Sequence, residues 1–251
     1  MKNIGFILIM LTLFSCGSFV QLEEQTSPLS GIYYILEGWD EFMDGNFKRA
    51  DELFSTTLLG EDTLYYSYAY VGMGWTAIYY ANTLPGVDNK TVRETQRDSA
   101  TGYFESAAHN IIDTVFTDND TTYIVNLEST EDTLVYANLL AGRTFNYGYK
   151  TLEYSREYYG SGQDDDIWSK VLNYSQLVID ESDSLLVFIP DYDFIYDEEI
   201  NIDDIYWLRA QTFVRLGDLE SAKVALEEIS EIECDLDEQT VIDCLDTLPR
   251  P

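Results

Sequence analysis

The chain has 251 residues, of which 46 are acidic and 14 basic, for a net charge of −32. That excess excludes a surface built to grip nucleic acid phosphates or anionic lipid headgroups, and it favours soluble behaviour, cations or a basic partner. A hydrophobic content of 45%, with 12 Phe, 20 Tyr and 4 Trp, is enough to bury a real core over residues 31–251, as one elongated domain or two small ones.

Lys2 precedes an apolar run from Ile4 to Phe14, which reads as a secretory signal. The run is too short to cross a bilayer unaided, which takes ~20 residues. It ends in Leu13-Phe14-Ser15-Cys16. These four residues resemble a bacterial lipobox, although Phe14 stands where a smaller residue is usual. The resemblance implies a signal peptide over 1–15 and acylation of Cys16. By resemblance to lipoprotein sorting in envelopes with two membranes, Gly17, where a retention signal would often place Asp, favours the outer membrane, on its periplasmic or surface face. Two or three acyl chains anchor durably, whereas one alone binds marginally. A plain secretory peptide with an incidental cysteine, or a membrane span, are the alternatives. Residues 16–30 read as a lipidated flexible tether.

Helical spacing predicts eight helices, at 31–44, 47–59, 63–82, 91–112, 132–159, 165–182, 203–216 and 219–232. Two segments carry one pattern. Gly38, Gly45, Phe47, Ala50 and Phe54 recur at the same offsets as Ala210, Gly217, Leu219, Ala222 and Leu226. A small residue lets two helices approach, a Gly supplies the left-handed turn between them, and a large apolar residue fills the layer between units. Both segments resemble the tetratricopeptide repeat, a 34-residue helix-turn-helix unit. The residues at 61–72 and 131–142 match each other over a displacement of 70. Ala100, Phe104 and Ala107 pair with Lys170, Tyr174 and Leu177 at that same displacement. The expected fold is therefore all-α, a solenoid of about four tetratricopeptide-like hairpins over 31–232. Its second and third units are expanded, by longer helices or by the inserted loops 82–92 and 159–166. A tail follows at 233–251.

The connectors 113–131 and 184–202 are acidic and β-prone, leaving room for a small strand pair. Cys234 and Cys244 lie close in sequence, and outside the cytoplasm they are expected to pair and pin the tail; two free thiols are the alternative. Zinc is a weak reading, with His109 the only histidine and no CxxC in the sequence. Calcium is weak too, because the acidic loops lack the glycine of an EF-hand. Asp191, Asp193, Asp197 and Glu198 would be its ligands. No nucleophile elbow, P-loop or zinc-protease motif occurs, so no enzyme, metal or cofactor is expected.

The tyrosine-rich stretches at 65–80 and 147–159 read mainly as packing between helices. In tetratricopeptide proteins the first helices of successive units line a concave face that holds peptides. By that resemblance Tyr34, Glu37, Tyr68, Asn138 and Tyr206 form a partner-binding face. The expected function is binding of a protein or peptide, for which the acidic balance favours a basic segment, as a scaffold in envelope assembly or transport. A ligand-capturing lipoprotein of a nutrient-uptake system is the alternative. A deep closed pocket would favour capture, and an open groove the scaffold.

Overall fold

The computed structural model describes residues 31–61, 63–117, 120–125, 130–230 and 240–247. The described chain is all-α apart from one strand pair. Its helices are α1 (Gly31–Met43), α2 (Phe47–Thr57), α3 (Tyr66–Asn82), α4 (Lys90–Ile111), α5 (Thr130–Gly160), α6 (Asp165–Phe188), α7 (Ile202–Leu216), α8 (Leu219–Glu227) and α9 (Val241–Thr247). Each helix from α1 to α8 packs against the next in chain order, and α1, α3, α5 and α7 touch in succession. No helix among the described residues is long and apolar enough to cross a membrane.

The turns follow from the residues read as turns. Gly45 and Gly217 adopt φ of +76° and +79°, a conformation that costs other residues strain. Ala50, Phe54, Ala222 and Leu226 are fully buried. Phe54 is wedged between α1 and α3. A Cβ added to either Gly38 or Gly72 would sit 2.6 Å from its ring, so only glycine fits. Phe104 repeats the arrangement one layer on, between Gly74 and Gly142.

The displacement of 70 holds for the first helices of the expanded units but not for the second. In α4 the buried positions are Ala100, Phe104, Ala107 and Ile111; in α6 they are Val171, Ser175, Val178 and Ser182. The offset there is 71. Lys170, Tyr174 and Leu177 thus stand one residue off the core register. Between the glycine of the first helix and the buried stripe of the second, the third unit carries one residue more than the second unit (Gly142 to Val171 against Gly72 to Ala100), and a one-residue shift on a helix rotates the buried face by about 100°. Ser175 therefore occupies the place of Phe104.

The connectors also diverge. The first forms an antiparallel pair, β1 (Ile112–Thr117) with β2 (Asp120–Val125), in register Ile112↔Val125 to Thr117↔Asp120. The second does not. Its first residues continue α6 to Phe188, because Leu185 extends the buried stripe Val171, Ser175, Val178, Ser182 at helical spacing. Pro190 then ends the helix, with Ile189 extended at φ −139° and ψ 94°.

Residues 189–201 form a loop folded into the core. Phe194 N–H donates to the Ile200 carbonyl at 3.0 Å, and Asp193 bridges Asn201. Asn201 then caps α7 in a reciprocal box with Asp204. The helix α9 falls in the expected tail at 233–251; Val241, Cys244 and Leu245 bury one face of it. Cys244 is disulfide-bonded. Cys16 and Cys234 both lie outside the described residues, as do the signal and tether.

Candidate functional site

Two concavities involve α3 and α5. One is filled by the chain itself. Trp39 stacks on Tyr196 at 3.8 Å and 2°, and Trp75 on Phe194 at 4.2 Å. Tyr192 O–H donates to Asn138 Oδ1 at 3.0 Å, and Trp75 Nε1–H donates to the Asn138 carbonyl at 2.9 Å. Tyr79 O–H donates to the Asp197 carboxylate. Burial and that carboxylate push the Tyr79 phenol well above its usual range, so it stays a donor. Residues of α1, α3 and α5 thus hold a loop that is 118 positions from Tyr79 and 54 from Asn138 in sequence.

The other is an open cleft of about 850 Å³. Its floor and walls come from the end of α3 (Asn82), the loop Leu84-Pro85-Gly86, the start of α4 (Lys90, Arg93, Arg97) and the last turns of α5 (Tyr149 to Gly160). The two loops read from the sequence as expansions, 82–92 and 159–166, both contribute to it. Arg93 ties the first loop down by donating to the carbonyls of Leu84 at 2.9 Å and Gly86 at 2.7 Å. Its other nitrogens grip Glu153 at 2.7 and 3.2 Å.

Glu153 also receives Arg97, which is 6% exposed. The Arg97 guanidinium lies over the Tyr149 ring at 5.3 Å and donates to Asn82 Oδ1 at 3.3 Å. Burial lowers its pKa; the Glu153 charge opposes that, and the nearby Arg93 adds to it. Lys90 pairs with Glu157 at 2.7 Å and less closely with Glu94 at 3.6 Å. Arg156, exposed on α5, makes no ion pair or hydrogen bond among the described residues. The lining thus carries four of the chain's 14 basic residues against two carboxylates, in a protein of net charge −32.

The five residues of the expected partner face are not equally available. Asn138 is 2% exposed and already bound to Trp75 and Tyr192. Tyr68 O–H donates to Asp132 at 2.9 Å. Tyr34 meets Tyr33 edge-on at 5.6 Å. Glu37 and Tyr206 are half-buried on α1 and α7. His109 is exposed in the last turn of α4. Among the described residues no three His, Cys, Asp or Glu side chains come together as a metal site. Asp197 is engaged by Tyr79 and by the Glu199 N–H at 3.0 Å.

The cleft cations were not singled out from the sequence, although a signal exists. Lys90, Arg93 and Arg97 fall at i, i+3 and i+7, one helical face, in an otherwise acidic chain. No family model matches this chain, and no curated protein or solved structure is detectably similar to it.

Proposed function

We propose that this chain is a lipid-anchored capture protein of a bacterial envelope, holding a small ligand in the cleft between α3, α4 and α5. In this reading Cys16 carries the acyl chains at the outer membrane. The helix pairs continue as a tetratricopeptide-like solenoid whose expanded second and third units make the pocket. The observation that carries it is the contrast between the concavities. The aromatic surface of α1, α3 and α5 is covered by residues 189–201, while a cleft of about 850 Å³, within the size range of small-molecule sites, stays open with its walls fixed by ion pairs. Among the described residues no catalytic constellation lines it, and binding without chemistry is the simplest function for it.

Metabolite profiling of material purified from native membranes tests this. Small molecules should co-purify with the wild-type chain and be lost from a Val87→Trp variant, which fills the cleft from a position 86% exposed. Equal recovery from both would reject the cleft as the site. Cys16→Ser should release the protein from the membrane fraction; unchanged fractionation would reject the anchor.

A second reading, the protein or peptide scaffold, is favoured by the exposed apolar residues Tyr33, Leu36 and Met43 on α1. It predicts a co-purifying protein whose contact protects α1 from hydrogen exchange.

A further inference from the structure

The cleft holds more positive charge than its carboxylates neutralise. Arg93 and Arg97 share Glu153, and Lys90 takes Glu157 and, from outside the lining, Glu94. Arg156 is left over. Its charge acts on Arg97 and also on Arg215, a half-buried guanidinium on α7 that donates to the Gln211 side chain at 2.9 Å and to no carboxylate among the described residues. Burial, then the like charge of Arg156, pull Arg215 down to about 10. Within the wall, the Nε of Arg97 is buried without a partner. A chain with 46 acidic residues has ample means to neutralise Arg156 and Arg215, yet no carboxylate among the described residues pairs with either. Beside them the lining is apolar, through Leu84, Val87 and Leu152.

We propose that the cleft binds a small organic anion, its carboxylate or phosphate group held by Arg156 and its apolar body lying on Leu84, Val87 and Leu152. The guanidinium suits this role because its planar fork meets an oxyanion through two parallel hydrogen bonds and its charge does not titrate near neutral pH. The ligand is opposite in sign to the basic partner that net charge alone suggests. Distant carboxylates are screened beyond about 8 Å at physiological salt, whereas the cleft cations act at contact. The inference rests on the capture reading and narrows it to one class of ligand.

Calorimetric titration of the detergent-solubilised full chain at about 0.15 M salt, where screening is as stated, tests it with three probes. These are 4-phenylbutyrate, phenyl phosphate and the neutral 4-phenylbutyramide. At least one anion should bind and the amide should not, and the tighter anion identifies the head group. Arg156→Gln should weaken the anion by about tenfold, the size of one charge-assisted hydrogen bond. Arg49→Gln removes the same charge from an exposed site on α2 and should leave affinity within about twofold, as a surface change does. Val87→Trp should abolish binding. If the amide binds as well as the anions and Val87→Trp removes both, capture stands and the anion inference falls. If no probe binds, or Arg49→Gln weakens binding as much as Arg156→Gln, the anion site is wrong.

Discussion

The filled groove and the open cleft share α3 and α5 and reach opposite outcomes. In the groove, α3 contributes Trp75 and Tyr79 and α5 contributes Asn138; all three are satisfied by residues 189–201. In the cleft, α3 contributes Asn82 and α5 contributes Tyr149, Glu153 and Arg156, and the surplus charge stays unmet. An aromatic surface left to water costs folding energy, so the chain covers it with its own aromatic loop. A charged surface costs nothing while hydrated, so it can stay open until a ligand arrives. The first region supplies stability and the second is free to supply function.

Breaking the groove should have the largest effect. Phe194 is fully buried and stacked on Trp75. Phe194→Ala should destabilise by about 3–5 kcal/mol in chemical denaturation, the usual cost of emptying a core phenylalanine site. A loss under about 1 kcal/mol would mean that the loop is only laid over the surface.

Breaking the cleft wall should come next. Glu153→Gln leaves Arg97 buried without its counter-ion and loosens Arg93 from the loop at 84–86. The expected loss is about 2–3 kcal/mol, below that of a fully buried pair because both side chains keep some access to water. Hydrogen exchange should rise first at residues 84–90. The double change Arg97→Met with Glu153→Leu should recover most of the stability, since apolar replacements of a pair are often neutral.

Much of the fold was legible in the residues, for local reasons. Turn glycines, small residues at helix crossings and large apolar residues at fixed offsets act within about a dozen positions. Hence Gly45, Gly217, Phe54 and Leu226 take the places read for them. The register of α6 was misread by one position because a single added residue between the registers of α5 and α6 leaves the pattern nearly unchanged while rotating the buried face. The destination of 189–201 was illegible for another reason: alternating Tyr, Phe and Asp reads equally as a strand, and its partners Trp39, Trp75 and Tyr79 are more than 100 residues away. The cleft was half legible. Both loops that build it were marked as insertions, but their meeting depends on how α4 and α5 pack.

A milder change separates polar anchoring from aromatic packing in the groove. Tyr192→Phe keeps the ring but leaves Asn138 Oδ1 buried without its donor. The expected cost is about 1–2 kcal/mol by thermal or chemical denaturation, the penalty of one unsatisfied buried acceptor. No change would show that water replaces the hydroxyl and that stacking alone holds the loop.

The smallest expected effect on stability sharpens the comparison most. Arg156 pairs with nothing among the described residues, is exposed, and adds its charge to those on Arg97 and Arg215. Removing it therefore deletes no ion pair or hydrogen bond among the described residues and relieves repulsion. Arg156→Gln should leave stability within about 0.5 kcal/mol of wild type, or raise it slightly. The outcome matters because the same substitution is expected to cost anion affinity. A residue that lowers stability or leaves it unchanged, yet strengthens binding, is retained for the ligand. If Arg156→Gln instead destabilises by more than about 1 kcal/mol, Arg156 is part of the wall like Arg93, and the division between a structural groove and a functional cleft does not hold.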